Sequence, residues 1–550
     1  MKLRIKKVIL ITALVVPTLQ INQLVAKSCS TTCSTTCGCT CVSQPCTDIP
    51  CNQDLIFGKT FYAARSQGDN SARKMMGVEN KIHINRDNCY YNVSSITLEY
   101  QSGFKDRGDI GKWFSVNGNS FMTYGMIESS ADNNLFNINA LQFGVTGSGT
   151  ITFCPKFSDV ILDTNIYLGL DSIFCGLWAR FDIPLVHNSR FLHVVEDVTG
   201  VSSETYPINL YGSGAVDAEF ANDSQPMMQA LKGDMVFGTG IGEVPELHYA
   251  KICGKRVDTN LAGLRIDLGY DWFIKEHSHL ATSLDIVAPA GSTTSATYLF
   301  DAMVSDSKRT QIGATVNARY DLYCNCDCQN LFSFYLDATV TSLLKKRLQR
   351  TIGLNITDVA AQNTWSQYLI LKTFNNANQL TGLERAANIL SPDLKIGAGV
   401  IADLAFMFEW DYKDYFSAGL GYEFWIRTTE KISESCLNIN GLYAMKGVQS
   451  AVNSASTLID NNATINSVSA SGTVFAADLA LPENAASEIY DYSRALHPKA
   501  YSNKIFGFLE YNWCSCNFKP FALLGGEIEF GKSNRALTTW GVLGKCGVSF

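Results

Sequence analysis

The last eleven residues, WGVLGKCGVSF, alternate between two kinds of side chain with a period of two. One phase is small or polar apart from Leu543, whereas the other, largely apolar phase holds Trp540, Val542, Gly544, Cys546, Val548 and Phe550. A period of two is that of a β-strand, whose successive side chains point to opposite faces. The pattern therefore predicts a terminal strand with one apolar face, and what this face contacts decides the class of protein.

The same alternation returns along the chain from about residue 90, most clearly in 264–272, 314–322, 400–410 and 416–426. Several of these segments have the roughly 10 residues that a tilted strand needs to cross a bilayer, with Tyr or Trp near one end. A soluble β-sandwich alternates in the same way. Here, however, the predicted links alternate between short (324–330, 411–414, 514–517) and long (343–395, 428–503). This favours an all-β fold, an antiparallel transmembrane β-barrel of roughly 12–16 strands.

The N-terminal part of the chain predicts export. A basic start, MKLRIKK, precedes an apolar run and the small residue Ala26, which together are typical of a secretory signal peptide. The run is shorter than the roughly 20 residues of a membrane-spanning helix. We therefore expect a signal peptide (1–26), a Cys-rich N-terminal extension (27–52), a connector or a lumen or periplasmic segment (53–89) and the barrel (90–550). Within 61–77, NSARKMM predicts a short helix.

Composition and motifs exclude several functions. The formal net charge is -7, and no basic block or basic helix occurs, which argues against nucleic acid as a partner. None of the seven histidines lies in a G-x-S-x-G or H-E-x-x-H motif. His277 and His279 could bind a metal in their short turn, but turn histidines are mostly solvated. We therefore expect no enzymatic activity, no cofactor and no metal site.

If the apolar phase faces lipid, the opposite phase lines the lumen. An Arg-x-Asp pair recurs on three of the predicted strands, and residues two apart on a strand share a face. The candidate lumen and selectivity residues are Arg180, Asp182, Arg265, Asp267, Arg319, Asp321, Asp403, Glu423 and Arg427. Such a lining predicts a porin-like channel for passive diffusion of small hydrophilic solutes. The alternative is a structural or adhesive barrel without an open pore, in which these charges neutralise each other.

The last residues of the chain resemble a known assembly signal. Its terminal aromatic residue on an apolar phase, with Trp540, Val548 and Phe550 as the matching positions, resembles the signal by which Gram-negative outer-membrane β-barrels are recognised for assembly. The resemblance implies location in the outer membrane of a Gram-negative bacterium. It also implies outer-membrane lipid and the barrel-assembly machinery as partners.

Eighteen cysteines in an exported chain predict disulfides, although closely spaced thiolates can also bind soft metal ions. The candidates lie in the N-terminal extension and in two short turns: Cys29, Cys33, Cys37, Cys39, Cys41, Cys46, Cys51, Cys324, Cys326, Cys328, Cys514 and Cys516. In design this resembles the cysteine-rich, cross-linked outer-membrane porins of chlamydia-like intracellular bacteria. That resemblance implies neighbouring copies as partners through disulfides, with the extension and the short turns on the periplasmic side.

We predict that these cysteines are oxidised and partly intermolecular. Cys324, Cys326 and Cys328 are spaced by two, and Cα atoms at that spacing on a strand are about 6.5–7 Å apart, near the upper limit for a disulfide. At least one of the three must therefore pair elsewhere. Non-reducing electrophoresis of isolated membranes should give a ladder that collapses with reductant. A single monomer band, with every thiol alkylated before reduction, would contradict the prediction.

Overall fold

The fold was analysed on a computed structural model. It describes residues 57–62, 65–84, 91–104, 108–127, 135–200, 206, 210–211, 225–275, 277–293, 295–325, 329–356, 363–377, 379–413, 415–435, 437, 439, 442–446, 465, 489–513, 518–532 and 538–550. The predicted signal peptide, the Cys-rich extension, Cys326, Cys328, Cys514 and Cys516 lie outside these residues. The disulfides predicted for the cysteines of the extension and for these four cysteines therefore stay predictions.

Twelve strand positions form a closed antiparallel ring, which confirms the predicted fold class. Each strand pairs with its neighbour in the chain's barrel order, and the last strand pairs with the first. One position is divided between two consecutive strands, Lys255–Leu261 and Leu264–Lys275, which both pair with the strand Leu177–Phe191. In ring order the strands are β1 (Asn92–Gly103), β5 (Lys156–Gly169), β6 (Leu177–Phe191), β8 (Lys255–Leu261) with β9 (Leu264–Lys275), β10 (Ser278–Ala288), β11 (Gln311–Cys324), β12 (Asn330–Leu343), β18 (Gly399–Tyr412), β19 (Phe416–Arg427), β23 (Ala500–Asn512), β24 (Lys519–Lys532) and β25 (Thr539–Ser549).

In the barrel strands, the apolar phase faces outward and the opposite phase faces the lumen, as predicted. In β25, Trp540, Val542 and Cys546 are exposed on the outside, whereas Leu543 and Lys545 are buried on the inside. The other strands repeat this pattern, so the exterior is a band of exposed apolar side chains, with Leu98 58% and Leu524 71% exposed. An apolar exterior on a closed ring is what a lipid bilayer requires, because no sheet edge is left with unpaired backbone groups.

The links between strands divide the barrel into two ends. Short links join β5 to β6, β9 to β10, β11 to β12, β18 to β19 and β23 to β24 at one end. The long connections 104–155, 192–254, 289–310, 344–398 and 428–499 all lie at the other end, as the alternation of link lengths predicted. We call the described residues of these five connections the cap.

The cap is a packed structure and not a set of extended loops. Buried side chains from all five connections, including Trp113, Phe143, Tyr211 and Trp365, form one large apolar core, and a second core is built around Leu354 and Leu390. Its strands are β2 (Phe121–Gly125), β3 (Ile138–Asn139), β4 (Ser148–Phe153), β7 (Val194–Gly200), β13 (Lys346–Gln349), β14 (Gly353–Leu354), β15 (Ile370–Phe374), β16 (Leu380–Arg385), β17 (Asp393–Ile396), β20 (Ile432–Ser435), β21 (Leu442–Met445) and β22 (Tyr490–Asp491).

The helices are short. The cap holds α3 (Gly108–Gly111), α4 (Pro226–Lys232) and α5 (Ala386–Ile389), together with 3-10 turns at Ala140–Phe143, Gly240–Gly242, Ser366–Tyr368 and Tyr492–Ala495. The other two helices, α1 (Ser71–Met75) and α2 (Glu79–Ile84), precede the barrel, and α1 lies where NSARKMM predicted a helix. Across the part of the chain that the structure describes, every helix is too short or too polar to span a membrane.

The residues before β1 run from the cap into the barrel. Tyr62 stacks on Phe114 in the cap core, with ring centroids 4.0 Å apart, and the Gly58 amide donates to the Trp113 carbonyl. Further on, Val78 and Ile82 pack against inward side chains near the short links, such as Trp178. The described part of this segment thus runs from the cap toward the short links.

Deleting Phe550 should impair assembly while leaving export intact. The Asn92 amide donates to the Phe550 carbonyl and the Phe550 amide donates to the Asn92 carbonyl, at 2.7 and 3.0 Å, so this residue completes the closure of β25 on β1. We expect the membrane level of the truncated protein to fall several-fold, measured by immunoblot of membrane fractions. Phe550→Trp, which keeps an aromatic terminus, is the matched control. A normal membrane level after the deletion would contradict the prediction.

Candidate functional site in the lumen

The nine candidate lumen residues all lie on the inner face of the ring. Eight are buried, and Asp321 is partly exposed, although little of its side chain reaches solvent. They do not line an open channel, because residues 65–84 occupy the space that they face. We call residues 65–84 the inner segment. Its contacts with the barrel wall define the candidate site.

Arg65 of the inner segment binds carboxylates from three strands. Its Nη2 atom donates to Asp403 Oδ2 of β18 at 2.7 Å and to Glu423 Oε1 of β19. Its Nη1 atom lies 3.4 Å from Glu529 Oε1 of β24. The guanidinium carbon also lies 5.4 Å from the ring centre of Trp425, within the range of a cation–π contact. One side chain therefore connects the inner segment to three wall strands.

Arg73 makes corresponding contacts with two other strands of the ring. Its Nε atom donates to Asp163 Oδ2 of β5 and its Nη1 atom to Glu99 Oε2 of β1, both at 2.8 Å. Its Nη2 atom donates to the Gln67 carbonyl at 2.6 Å. Arg73 is 1% exposed, so both ion pairs are formed away from water.

Two lysines extend these contacts toward the short links. Lys74 Nζ lies 3.4 Å from Asp182 Oδ2 of β6, and Lys81 Nζ binds Glu510 of β23. In the reverse sense, Lys545 of β25 donates to the carbonyls of Arg73 and Met76 at 2.6 and 2.7 Å. Lys545 thus binds carbonyl groups at the C-terminal end of α1. A cation is favourable there because the helix dipole is negative at that end.

The Arg-x-Asp pairs have different partners from one strand to the next. Arg319 Nε donates to Asp321 at 2.8 Å, as expected for side chains two apart. Arg180 Nε lies 3.8 Å from Asp182. Arg265 instead binds Asp285 of β10 and Asp69 of the inner segment. The spacing identified the shared face correctly, but partners on neighbouring strands and on the inner segment compete for each charge.

Arg427 belongs to a charged cluster where the barrel meets the cap. It donates to Asp306 at 2.8 Å and to Glu430 at 3.0 Å. Arg350 also donates to Glu430, at 2.7 Å. Burial alone would raise the pKa of Glu430, but the charges of Arg350 and Arg427 outweigh it and hold that pKa well below its ordinary value. This cluster joins the cap to the barrel wall.

Apolar packing also holds the inner segment. Met75 and Met76 lie in a buried cluster with inward side chains at mid-barrel, among them Phe506, Phe508 and Leu543. A continuous water-filled pore therefore does not cross this level in the structure. The charged contacts lie on both sides of the apolar level.

The wall carries an excess of acid. Among the described residues, the buried charged side chains of the barrel strands comprise fifteen acidic and seven basic residues. Beyond the nine candidates, the inner face also carries Glu99, Asp159, Asp163, Asp271, Asp285, Asp337, Glu409, Asp411, Glu510, Glu527 and Glu529, together with Arg190, Lys504 and Lys545. Each lies on the polar phase of an alternating segment, so counting that phase on every strand could have found them.

No metal centre is formed by the histidine pair. His279 binds Asp271, with Nε2 and Oδ1 2.7 Å apart, and His277 lies 3.6 Å from Asp321 on the outside of the turn. Within the described ranges, no group of three or more His, Cys, Asp or Glu is placed to hold a metal ion.

The closed ring and its apolar exterior are those of an integral protein of the Gram-negative outer membrane.

No protein-family model matches the chain, and no curated protein sequence matches it. Among solved structures it is similar to an outer membrane channel from Pseudomonas putida F1, at 8% identity over 84% of this chain and 96% of that chain, with a TM-score of 0.31. It is also similar to the transport unit of an autotransporter from Escherichia coli, at 7% identity over 85% and 92%, with a TM-score of 0.26. A FadL homologue from Pseudomonas aeruginosa matches at 9% identity over 84% and 90%, with a TM-score of 0.24.

Replacing Arg73 with Met should strongly destabilise the barrel. The change leaves Glu99 and Asp163 buried without their cation, and breaking a buried ion pair from one side costs about 3–5 kcal/mol. Urea unfolding in detergent micelles should show this loss. The matched control is Lys251→Met, because the partner of Lys251 is the exposed Asp234 at 3.6 Å and such a pair contributes less than about 1 kcal/mol. Equal losses in both variants would contradict a specific role for Arg73.

Proposed function

We propose that this protein is an outer-membrane transport barrel for small hydrophilic solutes, whose lumen is closed at rest by the inner segment. The observation that carries the proposal is the charged wall. Its carboxylates and guanidiniums line the barrel from the cap to the short links, and residues 65–84 fill the space between them through ion pairs.

Energetics support a functional role for this lining. Burying charged groups is costly, and well-packed apolar side chains often close an interior with equal or greater stability. A barrel that only had to be closed could fill its lumen with apolar residues, as it does around Met75 and Met76. Charges along the rest of the wall suit a path that solutes cross when the inner segment moves, with passive diffusion as the transport step.

The second candidate is a structural or adhesive barrel without a pore. The packed cap and the apolar contacts of Met75 and Met76 favour it, because both resist displacement of the inner segment. In the orientation usual for bacterial outer-membrane barrels, short turns face the periplasm, so the cap would face outward as a contact surface. The predicted disulfide links to neighbouring copies would fit this candidate as well.

Planar-bilayer conductance tests the proposal. We expect the wild-type protein to show rare, discrete openings, and the double variant Arg65→Gln, Lys81→Gln to open at least tenfold more often, because two anchors of the inner segment lose their charge. Lys255→Gln, an exposed site on β8, is the matched control and should behave as the wild type does.

The outcomes separate the candidates. Heat-dependent migration in electrophoresis first shows that each variant is folded. Folded protein that stays silent in wild type and double variant alike would overturn the transport proposal in favour of the closed structural barrel. Wild-type protein that conducts continuously, with the same step size as the variant, would overturn closure by the inner segment.

A further inference from the structure

The environment of Arg65 is built like a recognition site for an organic cation. Asp403, Glu423 and Glu529 approach the guanidinium from three different strands, and Trp425 presents its ring at 5.4 Å. Carboxylates that bind a planar cation, with an aromatic ring beside it, are how proteins bind guanidinium and ammonium groups. We call these four wall residues the cage.

At the cage, the wall strands contribute more carboxylates than cations. Besides Arg65, the cation at the cage is Lys504, which lies 3.7 Å from Glu423, 3.1 Å from Glu527 and 3.3 Å from Glu529. Without Arg65, one lysine would face the three carboxylates of the cage and Glu527. The cage therefore needs a second cation, and in the structure the inner segment supplies it.

Two polar atoms of the cage remain without a hydrogen bond among the described residues. They are Asp403 Oδ1, an acceptor, and Trp425 Nε1, a donor, and both residues are more than nine-tenths buried. Space adjoins the cage on two sides. One small cavity borders Arg65 and Glu529, and another borders Asp403.

We propose that the cage binds small organic cations carrying a guanidinium or ammonium group, and that Arg65 occupies it as an internal substitute when the barrel is closed. This rests on the proposed transport function and names its solute class. The acid excess of the whole wall supports the same class, because a lumen lined by one sign of charge concentrates ions of the other.

Calorimetric binding of argininamide to the detergent-solubilised full chain tests this. Arg65→Ala vacates the cage, so we expect it to bind argininamide at least tenfold more tightly than the wild type, whose own arginine competes. Nα-Acetylcitrullinamide has a similar shape without a positive charge and should not bind. Adding Glu423→Gln to Arg65→Ala should abolish binding, whereas adding Glu243→Gln, at an exposed cap position, should leave it unchanged.

The result is readable even if Arg65→Ala folds poorly. Refolding into micelles with argininamide should then raise the folded yield several-fold over refolding with Nα-acetylcitrullinamide. The proposal is overturned if the folded variant binds neither compound, binds both equally or keeps its affinity after Glu423→Gln. A poorly folding variant that argininamide does not rescue would overturn it too. Because binding is measured without conductance, a silent barrel that binds argininamide would overturn transport alone, and a conducting barrel that does not bind it would overturn only the cation site.

Discussion

The ion pairs between the inner segment and the barrel wall are the constraint on which the rest of the structure depends. The wall carries many more buried acids than bases, and buried carboxylates are tolerated only when cations or hydrogen bonds compensate them. Arg65 and Arg73 provide this compensation on different strands of the ring, each for carboxylates of at least two strands. The inner segment is therefore an integral component of the closed barrel.

The cap and the inner segment form a continuous structure. The chain leaves the cap core at Tyr62, which stacks on Phe114, and three residues later Arg65 reaches three strands of the wall. Glu430 receives Arg350 of the cap and Arg427 of the wall, which joins the same two regions again. A displacement of the inner segment would consequently have to disturb both its ion pairs and the adjacent part of the cap.

The proposed closure and the proposed solute selectivity rest on the same residues. Glu423 binds Arg65 and also accepts from the amide of Ala72 at 3.1 Å, so it fixes both the cation and the start of α1. The carboxylates that hold the segment in place would face any solute that replaced it. A solute able to compete must carry a charge of the same sign as Arg65, which is the physical link between the proposed gate and the proposed solute class.

The sequence by itself determined the barrel. Alternation with a period of two, in Trp540–Phe550 and in the strands around Arg265, Arg319 and Asp403, fixed which side chains face outward, because a strand has only two faces. The order of short and long links indicated the two ends, and NSARKMM indicated α1. Tertiary structure alone decided what the inward charges do. Which carboxylates receive Arg65 depends on strands that lie more than 300 residues after it in the chain and meet around one lumen, and no local pattern encodes those contacts. The sequence predicted a charged lining, and only the packing of residues 65–84 within it made the lumen closed.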